Sequence, residues 1–489
     1  MSAADGESTR THNGPTGGAS AAGRRRRAYL LVFIAALAVR GGLGAALGLQ
    51  RGWDERSLLL PDEQQYWAMA RSLHEGGQGE DELGFVATRM PLFTRVLAAF
   101  VAFDGGLIWF RLLLWIVGAI TATCAAGLAG ATVGERAILP AGLLVAFDPY
   151  LAFFSSLVLT ETVAIAALVA FWWRLALMLP GAAGHDGACL VHGPSTCEPC
   201  RRRWIVVAAL AALCVHTRES NLAFVGAALA YVLIAYRFQW YALRGAIVVV
   251  LVIVAALFPW ALRNASVTGD WCWLTHRGGI TLYDGVHAGA TGASDLGAIK
   301  AMPEVHPFIE AGDEAGWDRY FTQQALAAMR ADPIRIIRLA VAKLARTWNV
   351  FPNVQDGQRP ALRWVSAGWT VPVYGLALAG ALTLARRRRV GAMMDENGAR
   401  SIPPTSAAGS TPAAAPRDAA SAPPARPGYL LLPVLVVCLL HSVFVGSVRY
   451  RLPAMPMVEV LAAAGCVAAL GRFTGVEIDT TTPKDGPTS

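Results

Sequence analysis

The sequence predicts an all-α polytopic membrane protein, a bundle of about ten or more transmembrane helices with further interfacial helices on its outer face. Three observations predict it. Mean hydropathy is +0.43 and 55% of residues are hydrophobic, while only 16% are charged, against about a quarter in a typical globular domain. Apolar runs recur at 29–49, 106–130, 137–154, 157–179, 204–215, 222–236, 246–262, 364–385, 429–445 and 457–470. Arginine blocks fall between alternate runs. An ordinary soluble enzyme is excluded.

The run at 29–49 spans a hydrocarbon core of about 30 Å at about 1.5 Å per residue. Arg24–Arg27 abut its start and no clear cleavage site follows, which reads as a retained signal-anchor. Several later runs are short for a span, so their boundaries stay open. From a cytoplasmic amino terminus, Arg136, Arg201–Arg203, Arg237 with Arg244, and Arg386–Arg389 all fall on the inner side, as the positive-inside rule requires. Both termini are then cytoplasmic, in a plasma (inner) membrane. The net charge of +8 reflects this orientation rather than affinity for nucleic acid.

The chain divides accordingly. Residues 1–28 are a disordered cytoplasmic tail, and 29–385 a transmembrane module with outer loops 50–104 and 263–363. Residues 180–203 form a cytoplasmic Cys/His-containing insert, and 386–428 a cytoplasmic Pro/Ala-rich linker too poor in apolar groups to fold. A C-terminal transmembrane hairpin (429–471) and a disordered tail (472–489) complete it. The loop 263–363 is too long for a connection and carries its own helices. One covers 317–329. The next, 334–348, sets Arg335, Arg338, Lys343 and Arg346 among Ile, Leu and Val. It reads either as an interfacial helix facing anionic headgroups or as a helix packed on the bundle with snorkelling arginines.

The polar residues of the outer side carry the functional signal. Pro61-Asp62-Glu63 opens a surface helix on which Asp62, Tyr66, Met69 and Leu73 share a face. Acids in a first turn complement the helix dipole, so Asp62 is a cap or a general base. Arg89-Met90-Pro91-Leu92 closes the first loop, and Thr160-Glu161 follows Asp148-Pro149-Tyr150 at an outer span mouth. Thr217-Arg218-Glu219, Trp260 with Arg263-Asn264, Gly278-Gly279 with Leu282-Tyr283, and Arg449-Tyr450-Arg451-Leu452-Pro453 lie on the same side. Arg40 sits inside the first span, where a charge costs about 2.5–3.5 kcal/mol on insertion scales. It must face the bundle or reach the outer surface, as a structural ion pair or a phosphate contact.

In this order and sidedness the motifs resemble the GT-C glycosyltransferases, in particular bacterial protein-mannosyltransferase and lipid A aminoarabinosyltransferase-like membrane proteins of the cell envelope. The resemblance runs from about residue 29 to 470, without the tails, insert and linker. It implies a hexosyl- or pentosyltransferase using a polyprenyl-phosphate-linked sugar donor at the outer face, with Asp62 as the catalytic residue. Glu63, Tyr66, Arg89, Glu161, Arg218, Arg263, Arg449 and Arg451 are the candidate substrate-binding residues. Met90 departs from the pattern, standing where relatives carry a second proline or, in the aminoarabinose branch, a basic residue. That substrate is therefore not supported.

The chemistry agrees independently. A polyprenyl phosphate leaves without needing a proton, unlike the alkoxide of glycoside hydrolysis, where two carboxylates are needed. One carboxylate suffices to deprotonate an acceptor hydroxyl on a protein, lipid or glycan, and the anomeric carbon inverts. Guanidinium groups stabilise the departing phosphate, so a divalent cation is compatible but not required. The other function class is a transporter or flippase of lipid-linked sugars, which would place polar groups and interrupted helices at the midplane.

Of eight cysteines, Cys124, Cys214, Cys438 and Cys466 lie in spans and Cys272 is alone outside, so no disulfide framework is indicated. The insert holds Cys189, His192, Cys197 and Cys200, a spacing compatible with tetrahedral zinc. It is a short pattern without a surrounding fold, facing away from the outer residues.

Overall fold

The structure, a computed structural model, describes residues 16–179, 198–353, 360–400 and 426–473, and among these there is no strand. The amino-terminal half runs α1 (Thr16–Arg51), α2 (Pro61–His74), α3 (Pro91–Val101), α4 (Gly106–Thr132), α5 (Ile138–Phe147), α6 (Pro149–Phe154) and α7 (Glu161–Ala176). Then follow α8 (Glu198–Thr217), α9 (Asn221–Ala235) and α10 (Trp240–Thr268). The segment after α10 contains α11 (Gly278–Val286), α12 (Leu296–Lys300), α13 (His306–Ala311), α14 (Glu314–Ala331) and α15 (Pro333–Thr347). The chain closes with α16 (Pro360–Arg400), α17 (Pro427–Val443) and α18 (Met455–Phe473).

Four described helices are long and apolar enough to cross a membrane, within Ala22–Arg51, Gly106–Thr132, Trp240–Thr268 and Pro360–Arg389. Four of the ten expected runs, 29–49, 106–130, 246–262 and 364–385, fall in these helices. The run 137–154 breaks at Asp148-Pro149 into α5 and α6, because proline cannot continue the ladder and the Asp148 side chain caps the new helix at Leu151 N. The tail and linker also differ from expectation. Helix α1 begins at Thr16 and α16 continues to Arg400, each carrying its helical ladder beyond the apolar run. Of the insert, Cys189, His192 and Cys197 lie outside the described residues.

Helix α4 lies at the centre, packed against α1, α5 and α7. Helices α16 and α18 form the closest pair, and Gly380 and Gly465 explain it. A Cβ on either would collide with the backbone of the other helix, at Leu461 or Leu376. Trp172 of α7 and Tyr429 of α17 are stacked at 5.4 Å, and the Tyr429 hydroxyl donates to Trp172 O at 2.7 Å. Arg40 is fully buried. Its guanidinium donates to Ala146 O (3.1 Å) and Val145 O (3.2 Å) at the end of α5, with Asp148 and Glu459 as the nearby carboxyls. It joins span to span and does not reach the outer surface.

A second, smaller core sits outside the bundle. Phe85, Ile280, Trp317 and Phe321 bury one another there. The Glu314 carboxylate ties α14 to loop 78–88 by accepting from Val86 N and, at 2.9 Å, Ala87 N. This small core joins loop 78–88 to the segment 278–321.

Candidate active site

Asp62 is the second residue of α2, and Pro61 at the first helical position fixes its direction. Its neighbour Glu63 secures the helix. Fully buried, Glu63 accepts from Leu59 N (2.9 Å) and Leu60 N (3.1 Å) with one oxygen and from Val158 N (2.7 Å) with the other. That pins α2 to the stretch leading into Glu161. Three backbone amides hold its two oxygens, which anchors the start of α2 beside Asp62.

Both Asp62 oxygens meet guanidinium groups. Arg89 Nη2 lies 2.7 Å from Oδ1, and Arg449 Nη1 lies 2.6 Å from Oδ2. Arg449 Nε also donates to Glu161 Oε1 at 2.5 Å, and Arg218 Nη1 reaches the same oxygen at 2.7 Å. One guanidinium therefore bridges two carboxylates from α2 and α7. Gln65 accepts from Arg89, and Tyr66 lies beneath the Arg89 guanidinium at 4.9 Å, itself packed on Phe93. Arg449 projects from the short turn Val448–Arg451, which Ser447 caps.

Sequence reasoning missed two members of the cluster. Gln65 stands one helical turn from Asp62 on the same face, a spacing that signals it. Arg277, half-buried at the start of α11, lies beside Asp62 and Arg89. Among the described residues its guanidinium makes no hydrogen bond or ion pair. Its signal was a cation directly before Gly278-Gly279.

Burial alone would raise the Asp62 carboxyl, but Arg89, Arg449 and Arg277 hold it well below the usual carboxylate range. The same pairing overcomes burial at Arg89 and Arg449 and raises both above the ordinary arginine value. Arg277 moves the other way, lowered first by burial and then by the like charge of Arg89. Glu161 Oε2 is buried without a partner among the described residues. With Asp62 wholly engaged and one Glu161 oxygen spare, this donor set does not fit a resident divalent cation. No group of three or more His, Cys, Asp or Glu gathers at metal-ligand distance among the described residues.

Two further candidates stand apart. Arg451, adjacent but one to Arg449, turns inward, donating to Asn349 O and to Thr370 Oγ1 (3.4 Å) and lying over Tyr150 at 5.0 Å. Arg263 donates to Val86 O (2.9 Å) and Gln78 O (2.6 Å). It covers one part of a cleft between α3 and the outer end of α10, with Arg89 on one wall. There Arg263 and Arg95 both lie over Trp260, at 4.9 and 6.0 Å. Alternation along a short turn and a long outer loop separated these side chains from Arg449, which adjacency in sequence could not convey.

No family model matches the chain, and no curated protein matches it. Solved structures do. An oligosaccharyltransferase of Archaeoglobus fulgidus, tethered with an acceptor peptide, is similar with a TM-score of 0.50 at 12% identity, covering 92% of this chain and 51% of its own. The chain thus spans about half the length of that protein. ArnT from Cupriavidus metallidurans, bound to undecaprenyl phosphate, aligns over 96% of this chain and 82% of its own at 15% identity, with a TM-score of 0.38. The likeness to the oligosaccharyltransferase is one of fold.

Proposed function

We propose that the protein is a membrane glycosyltransferase that moves a sugar from a polyprenyl-phosphate-linked donor to an acceptor hydroxyl at the outer face, with inversion. The observation that carries this reading is Arg449 bridging Asp62 and Glu161, beside Arg277, which has no partner among the described residues. Two carboxylates set among four guanidiniums leave a surplus of positive charge. A dianionic phosphate neutralises that surplus.

Asp62 with both oxygens bound to guanidinium is a weak base. Donor phosphate competes for Arg89 and Arg449, and as they turn toward it the carboxylate regains its basicity. Asp62 then takes the acceptor proton while the acceptor oxygen attacks the anomeric carbon from the face opposite the phosphate. The carbon–oxygen bond to phosphate breaks, and its electron pair leaves with the polyprenyl phosphate, which gains one negative charge. Arg277, Arg89 and Arg449 stabilise that charge, and Arg218 and Glu161 hold Arg449 in place. The Arg95–Trp260–Arg263 cleft receives the lipid phosphate from the membrane side. Shared fold with an oligosaccharyltransferase supports the reading.

The test is reconstitution in liposomes with polyprenyl-phosphate sugars. Transfer should fall by about 10²–10⁴-fold in Asp62→Asn, the range for loss of a general base. Donor crossing the bilayer without transfer, equal in both proteins, would replace this reading with transport.

A further inference from the structure

Helix α15 is amphipathic in the reverse sense for a helix in water. Three of its four cations turn inward, where Arg335 donates to Val286 O (2.6 Å) and His287 O (2.9 Å). Lys343, fully buried, donates to Val443 O at 2.5 Å, and Arg346 Nε to Gly446 O at 3.3 Å. Its large apolar side chains turn outward. Ile334, Ile337 and Val341 are 63%, 66% and 65% exposed, and their spacing of three and four residues sets them in one stripe. Cations satisfied by carbonyls on the inside and isoleucines bare on the outside make sense only if the outer medium is apolar.

The surroundings identify that medium. Helix α15 packs against the outer end of α17, on which Leu435 and Leu439 are exposed at 56% and 71% one turn apart. The exposed α15 stripe and the exposed leucines of the apolar helix α17 thus belong to two helices in direct contact. Arg338, exposed beside the stripe, is long enough to reach headgroup phosphates while its stem stays among apolar neighbours.

We propose that α15 seats Ile334, Ile337 and Val341 in the outer leaflet, at the boundary between headgroups and acyl chains. Its inward cations grip residues 442–446, the chain leading into Arg449. The bilayer thereby fixes the height of the Arg449 turn. The inference goes beyond the transfer reading and stands or falls without it.

The test places p-benzoylphenylalanine singly at positions 337, 341, 439 and 310 of the full chain in liposomes, followed by irradiation and mass analysis of adducts. Position 439 marks lipid, and exposed Glu310 in α13 marks water. Lipid adducts at 337 and 341 at the level of 439, about tenfold or more above 310, are expected for an interfacial helix. Adducts to protein at 337 and 341, or yields no higher than at 310 while 439 captures lipid, would overturn the proposal.

Discussion

Arg449 Nε lies 2.5 Å from Glu161 Oε1, across 288 residues of chain. The same guanidinium meets Asp62, so a turn near the carboxyl end of the chain closes a site begun by α2 and α7. A lysine carries one point charge and cannot present two fixed N–H directions to two carboxylates. Arg449→Lys should therefore lower kcat by about 100-fold or more, the scale of losing one preorganised donor. Steady-state kinetics in liposomes read this. A variant within threefold of wild type would remove Arg449 from the chemistry.

Asp62 predicts an acid-side stability effect. Its carboxyl, despite burial, is held below the ordinary value of 3.8 by Arg89 and Arg449. A depressed carboxyl contributes stability that is fully present above that value and lost as pH falls through the folded one. Asp62→Asn should unfold at a lower temperature than wild type at pH 6, and the gap should close as pH drops below about 4. Thermal denaturation in detergent at both pH values reads it.

Arg277 has no partner to lose among the described residues. Arg277→Gln should leave the unfolding temperature unchanged and weaken donor binding by roughly 10–100-fold, the worth of one charge-assisted contact. Titration of polyprenyl phosphate into both proteins distinguishes this from a general loss of structure.

Gly446 runs flush against α15. A Cβ there would meet the Lys343 backbone, which cannot yield as a side chain does. Gly446→Ala should displace the Arg449 turn and reduce transfer by about tenfold or more, the penalty for misplacing a reacting constellation by about 1 Å. Gly368→Ala in α16, where a Cβ meets nothing within 4 Å, serves as the control and should be silent.

Lys343 predicts a base-side effect in which stability likewise rises with pH. Burial, aided by Arg335, brings its amine down to about 8 from 10.5. The unfolded chain then binds more protons between these values, and stability rises with pH there. Wild type should gain stability relative to Lys343→Met as pH goes from 8 to 10, measured by denaturation midpoints.

Much of this was written in the sequence because it depends on local chemistry. The apolar runs at 29–49 and 106–130 can satisfy their backbone in lipid only as helices, and Pro61 before Asp62-Glu63 fixes a helix start wherever it lies. Sidedness and order were enough to pick out Asp62, Arg89, Glu161, Arg218 and Arg449. Roles that depend on distance were not legible. Glu63 and Asp62 are adjacent and chemically alike, yet one is consumed by three backbone amides and the other faces guanidiniums. Arg449 and Arg451 diverge because a tight turn sends alternate side chains to opposite sides. Helix α15 showed its amphipathicity in sequence, but which face meets the protein was decided by carbonyls at 286–287 and 442–446, contributed by segments far along the chain. The sequence by itself determined the helices, their solvent and the supply of charged groups. Tertiary packing alone decided which charges meet, because Coulomb and hydrogen-bond energies depend on separation in space and not along the chain.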